Sequence, residues 1–164
     1  MSPRWRDWGS TGARDVRKYA LDTSCYIDAS RDAAALAALR GFVARAAPGL
    51  YVSSVVAAEL RGGARSARDR KALEERVLEP FARRGRLLTP SGAAWDALGR
   101  TLATLREREG LQLSQVPRSF AFDVLVAYSC REHGVVLVTG NARDMTRIRR
   151  VFTFEYVAPY PEAA

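Results

Sequence analysis

Apolar positions along the chain recur with two different periods, and the changes between them divide it into strands and helices. Tyr19, Ala20 and Leu21 form a short continuous apolar run that predicts a buried strand, and Tyr26 and Ile27 resume it after a polar interruption. In RDAAALAALRGFVARA, Leu36, Leu39 and Val43 fall three and four apart, which predicts an amphipathic helix ending before Pro48 and Gly49. LYVSSVV, with strand-favouring Tyr51, Val52 and Val55, predicts a second strand, and Ser53 or Ser54 is placed to cap the next helix. That helix carries AAELRGG and weakens at Gly62 and Gly63. A charged helix from about Ala67 to Arg84 turns Leu73, Val77 and Phe81 inward. RLLTPS reads as a short strand and cap, and AAWDALGRTLATLREREG as a helix closed by Gly110. The polar loop LQLSQVPRS leads into the mostly apolar helix FAFDVLVAYSCREHG. VVLVTGN is the clearest buried strand, ARDMTRIRR a short helix, and FTFEYV a last strand.

Strands alternating with helices predict an α/β domain around a mainly parallel sheet. No internal repeat, low-complexity tract or linker interrupts it. The expected division is a basic arm over 1–18, a domain over 19–158 and a short tail over 159–164. In sheets of this kind, sites gather where strands end and the following helices begin.

That rule draws attention to acids that break the apolar pattern. Asp22 stands where the first strand should enter the core, and an unpaired buried carboxylate must find a partner, lose its charge or face solvent. Glu59 lies early in the helix after the second strand. Asp123 sits in FAFDVLVAY with apolar neighbours on both sides, and Asn141 and Asp144 follow VVLVTGN, with Thr139 just before them. Each has an ordinary alternative. Glu59 could be a first-turn acid favoured by the helix dipole. Asp144 could pair with Arg143 or Arg147, and Asp22 could serve a cap or turn. Asp123 is harder to explain structurally, because acids on apolar helices are seldom buried without a counter-charge. Brought to one sheet edge, four carboxylates would repel one another unless a cation held them. An oxygen-only set of this kind suits Mg²⁺ or Mn²⁺, although Lys or Arg could also supply the charge.

Charge and composition narrow the chemistry. The 164 residues, 48% of them hydrophobic, suffice for one domain with a real core. The 26 Lys+Arg against 18 Asp+Glu leave a net charge of +8, which favours polyanions, with nucleic acid first among them; a generally Arg-rich composition is the plainer explanation. His133 is the only histidine and falls at a helix C-terminus, which removes Ser-His-Asp triads, Cys-His pairs and zinc-protease motifs. Cys25 and Cys130 are far apart in apolar contexts, as expected of two core thiols in a reducing compartment. No apolar run approaches the ~18 residues of a membrane span, and MSPRWRDWGSTGARDVRK lacks the apolar centre of a signal peptide. A cytoplasmic protein without membrane association is expected. Carboxylates, a metal ion and a basic surface together point to phosphodiester cleavage.

Four stretches in order, ALDTSCYID, VSSVVAAEL, FDVLVAYSCREHGVVLVTGN and GNARDM, resemble the motifs of PIN-domain endoribonucleases, most closely the VapC-type toxins of bacterial toxin–antitoxin pairs. The resemblance spans roughly Tyr19 to Val157. It implies a three-layer α/β/α domain with Asp22, Glu59, Asp123 and Asp144 as the catalytic, metal-holding acids. Asn141 would assist where some relatives have a further acid, Thr139 would support the site, and Thr23 or Ser24 would add a hydroxyl. It further implies Mg²⁺ (or Mn²⁺) as cofactor, single-stranded regions of RNA as substrate, a cognate antitoxin as partner, and a homodimer. Two other classes stay open: a non-catalytic PIN-like module that binds RNA or a partner, and a metal-dependent phosphatase or DNA nuclease on a similar sheet. Against a phosphatase with an aspartyl nucleophile, LDTSC lacks the second acid two residues on.

Overall fold

A computed structural model describes residues 16–161. Most of the expected basic arm and the end of the expected tail lie outside the described residues. Five strands form one sheet in the order β3-β2-β1-β4-β5, every neighbouring pair parallel. They are β1 (Tyr19–Leu21), β2 (Leu50–Ser53), β3 (Leu87–Leu88), β4 (Val136–Val138) and β5 (Tyr156–Val157). The helices are α1 (Thr23–Arg31), α2 (Ala33–Ala46), α3 (Ser54–Gly63), α4 (Ala67–Leu73), α5 (Glu79–Arg83), α6 (Gly92–Glu109), α7 (Arg118–Glu132) and α8 (Ala142–Arg149). A π-helical turn, Glu74–Leu78, joins α4 to α5, so the expected charged helix is one helical passage with a wider turn in its middle.

Side-chain alternation along the central strands builds two separate cores. Ala20 and Leu137 point into a cluster with Val56, Leu105, Val124, Leu125, Met145 and Ile148. Tyr19, Leu21, Val136 and Val138 point the other way, onto Cys25, Leu39 and Phe42. With helices on both faces, every residue of β1 and β4 is buried. This is why those strands read as continuous apolar runs rather than alternating ones. The result is the three-layer α/β/α arrangement with a parallel sheet.

Local chemistry explains most boundaries. Ser53 accepts from the Val55 amide and caps α3, which ends β2 at Ser53 and puts Val55 on the helix instead of the strand. Ser91 caps α6 in the same way, and Gly110 closes it with φ 68°. Gly49 enters β2 against the chain before β1: a Cβ there would meet the Arg17 carbonyl oxygen at 2.3 Å. Two expectations needed correction. Thr23–Arg31 is a helix, for which the apolar pattern gave no signal, because its fully buried side chains are only Cys25 and Ala29. FTFEYV supplies a strand only at Tyr156–Val157; Phe154 turns into the core instead. The domain also draws in flanking residues. Lys18 O accepts from the Val136 amide, Arg17 pairs with Glu155, and Tyr160 packs on Phe42.

Candidate active site

The sheet's switch point lies between β1 and β4, from which the strand order runs outward in both directions. Asp22 follows β1 there and Thr139 follows β4, and the two are tied together. The Asp22 amide donates to Val138 O at 2.9 Å, and the Thr139 hydroxyl donates to Asp22 Oδ2 at 2.8 Å. Asp22 is thus an acid with partners, though none among the described residues is a cation. Its Oδ1 caps α1 by accepting from the Thr23 amide at 2.8 Å, and its Oδ2 also accepts from the Ser24 hydroxyl at 3.1 Å. Only 6% of its surface remains exposed. Three donors fix the carboxylate's direction, as a rigid binding group requires.

The other acids are held by their own neighbours. Glu59, on the second turn of α3, accepts from the Thr23 hydroxyl across the gap between α1 and α3. Asp123, on the second turn of α7, accepts from Asn141 Nδ2 at 2.9 Å; the same amide donates to Asp144 at 2.9 Å. Asn141 also caps α8 through Oδ1, which accepts from the Asp144 amide, and its own amide donates to Thr139 Oγ1 at 3.0 Å. A chain of hydrogen bonds therefore runs from Asp22 through Thr139 and Asn141 to Asp123 and Asp144. Ser24 extends it by accepting from the Gly140 amide at 3.3 Å.

Electrostatics shows how unbalanced this edge is. None of the ion pairs among the described residues involves Asp22, Glu59, Asp123 or Asp144. Burial, followed by the charges of Asp22, Asp144 and Glu59, pushes the Asp123 carboxyl up to about 8, against a smaller downward pull from the Asn141 amide. A carboxyl in that range holds a proton at neutral pH unless a cation displaces it. Oxygen donors without a counter-charge fit a hard divalent cation. As the side chains stand, however, no group of three or more His, Cys, Asp or Glu among the described residues is set to hold a metal ion. The Asn141 side-chain amide bridges Asp123 and Asp144, and hydroxyls donate to Asp22 and Glu59.

The structure brings Asp22, Glu59, Asp123, Asp144, Asn141, Thr139 and Ser24 to this one edge. The sequence left Thr23 and Ser24 as alternative hydroxyls; the fold uses both, Thr23 on Glu59 and Ser24 on Asp22. The bridging of two acids by one Asn141 amide was not readable from spacing. Only its place three residues before Asp144, where a helix cap belongs, hinted at it.

A family model described as the PIN domain matches residues 19–151. Among solved structures, the chain is similar to FitAcB from Neisseria gonorrhoeae (TM-score 0.63, 18% identity, 86% of this chain and 97% of that one). It is similar also to DNA-bound VapBC from Salmonella typhimurium (0.61, 24%, 88% and 99%) and to VapBC-1 from nontypeable Haemophilus influenzae (0.60, 21%, 85% and 96%). At these identities the likeness is one of fold. No curated protein shows significant sequence similarity.

Proposed function

Since the chain belongs to the PIN-domain family, whose members are generally nucleases that use divalent metals, we propose that it is a Mg²⁺- or Mn²⁺-dependent endoribonuclease and the toxin of a toxin–antitoxin pair. The observation that carries the catalytic part is the carboxylate edge: four acids from four segments, tied together by hydrogen bonds, with no Lys or Arg among the described residues paired to any of them. Asp22, Glu59, Asp123 and Asp144 are the metal-holding groups. A divalent cation supplies Lewis acidity there, polarising a phosphate oxygen and making water a competent nucleophile at neutral pH. The protein's own part is positioning. Thr23, Ser24 and Thr139 hold Asp22 and Glu59 in fixed directions, and Asn141 holds Asp123 and Asp144. Single-stranded regions of RNA suit an open edge at the end of a sheet, where a strand can be laid without melting a duplex.

An apolar groove supports the partner reading. Thr23, Tyr26, Ile27, Glu59, Leu60 and Leu73 line a hollow of about 270 Å³ between α1, α3 and α4, with Glu59 of the carboxylate edge in its wall. An antitoxin segment with an apolar helical face and an Arg would fill the groove and bring its charge to the unpaired carboxylates. Homodimer formation belongs to the same reading.

The test is cleavage of purified tRNA, rRNA and mRNA pools with the cut sites mapped. Cleavage is expected with Mg²⁺ or Mn²⁺, and it should be lost with chelator and in Asp22→Asn. Full-rate cleavage in excess chelator would remove the carboxylates from the chemistry. A preference for duplex DNA would replace the ribonuclease with a DNA nuclease.

A further inference from the structure

The sheet's amino edge, opposite the carboxylates, is cationic and hollow. One cavity of about 360 Å³ is lined by Arg131, Gly134, Arg149, Thr153 and Glu155, among others. A second, of about 490 Å³, is lined by Arg17, Lys18 and His133 and shares Gly134, Val136 and Glu155 with the first. Glu155 is the only acid among the described residues lining them, and it is paired with Arg17. Lys18, Arg131 and Arg149 take part in no ion pair among the described residues.

Both arginines beside the first cavity are held in place by aromatic rings instead of carboxylates. The Arg131 guanidinium lies over Tyr128, 5.5 Å from the ring centroid, and that of Arg149 over Tyr156 at 5.7 Å. A stacked guanidinium keeps its full charge and an unused fork of N–H donors, and less freedom is lost when an anion arrives. Such forks match the paired oxygens of phosphate or carboxylate. The choice between these follows from the path to the other edge. Helix α8 starts at the carboxylates and ends at the cavity with Arg149. Its eight residues span ~12 Å; Arg147 within it is paired with Glu109, whereas Arg143 near its start, like Arg149, takes part in no ion pair among the described residues. Unpaired arginines at both ends of this short path, Arg143 beside the carboxylates and Arg149 at the cavity, fit an extended polyanion better than a small anion or a peptide end.

We propose that this amino-edge cleft is a second nucleic-acid contact, in which Lys18, Arg131 and Arg149 bind backbone phosphates of the strand whose scissile phosphate lies at the carboxylates. It extends the nuclease reading, but it is tested by binding in chelator, where no cleavage occurs. Failure of one therefore leaves the other standing.

Anisotropy of a labelled oligouridylate of about twenty nucleotides measures affinity against salt. Two phosphate contacts contribute a log–log slope of about −1.4, at ~0.7 each for single strands. The double variant Arg131→Gln/Arg149→Gln should bind more weakly with a slope shallower by about that much, and Lys18→Gln should lose about half as much. The charge-matched control Arg84→Gln/Arg100→Gln, on exposed surface elsewhere, should keep the wild-type slope. The cleft assignment is overturned by an unchanged slope in the double variant, confirmed folded by its melting, or by an equal loss in the control. It is also overturned if a polyglutamate of matching charge binds as tightly as the RNA and depends equally on the two arginines, since the cleft would then be one for acidic peptides.

Discussion

Replacing Asp123 with asparagine should stabilise the metal-free protein, and the structure indicates by how much and at which pH. Burial and three neighbouring acids hold the Asp123 carboxyl at about 8 against an ordinary value of 3.8. At about pH 7 the unfolded chain carries the ionised acid, whereas the folded, metal-free protein holds it mostly protonated. Taking up that proton costs roughly 4 kcal/mol as an upper bound, at 1.36 kcal/mol per pKa unit. An amide needs no proton, and its oxygen can still accept from Asn141 Nδ2. Residual solvent access to this half-buried group reduces the gain, so Asp123→Asn is expected to be about 1–3 kcal/mol more stable near pH 7 in chelator. The pH dependence carries the sign. Because the folded-state value is raised, the wild type has its full stability below the unfolded value and loses it progressively from about pH 4 to about pH 8. The variant lacks that loss, so the two should converge near pH 4. With Mg²⁺ at a hundred times its dissociation constant, the wild type gains about 2.7 kcal/mol that the variant largely forgoes, which should cancel or reverse the difference. Urea unfolding in chelator and in Mg²⁺ across this pH range measures all three effects. A variant less stable than wild type by more than about 1 kcal/mol in chelator, or parallel curves between pH 4 and 8, would show that Asp123 is a structural acid with a partner and would refute the crowding argument.

Other consequences are simpler to read. Metal affinity, followed by calorimetry, should rise with pH through the range in which Asp123 loses its proton, because the cation must displace it. Thr139→Val removes the hydroxyl shared by Asp22 and the Asn141 amide, so urea unfolding should report a loss of about 1–3 kcal/mol and metal affinity should fall with it. Thr101 is buried with no partner for its hydroxyl among the described residues, so Thr101→Val should leave stability unchanged or raise it by up to about 1 kcal/mol. Cys25 and Cys130, pushed by burial to about 11 and about 12, should resist a thiol reagent in the native state and react only on unfolding. Expression of the chain alone should arrest growth and co-expression of its antitoxin should relieve this; growth unaffected by accumulated soluble protein would count against a toxin while leaving the nuclease chemistry untouched.

The alternation of elements and the double-sided sheet were legible because burial on both faces forces continuous apolar runs such as VVLV, and because serine and glycine mark helix ends wherever they fall. The acids were legible for the complementary reason: Asp22, Glu59 and Asp123 interrupt apolar patterns, and a parallel sheet collects strand ends on one edge. Helix α1 was not, since a short helix that buries only Cys25 and Ala29 leaves no periodic trace. What the tertiary structure alone decided is pairing. That the Thr139 hydroxyl meets Asp22 depends on segments 117 positions apart and on the register of β1 against β4; that one Asn141 amide spans Asp123 and Asp144 depends on how α7 packs beside the start of α8; and no arginine among the described residues pairs with any of these acids. The amino-edge cleft has the same origin. Lys18, Arg131 and Arg149 lie on three separate segments of an arginine-rich chain and become one surface only because parallel strands gather their starts, like their ends, at a single edge.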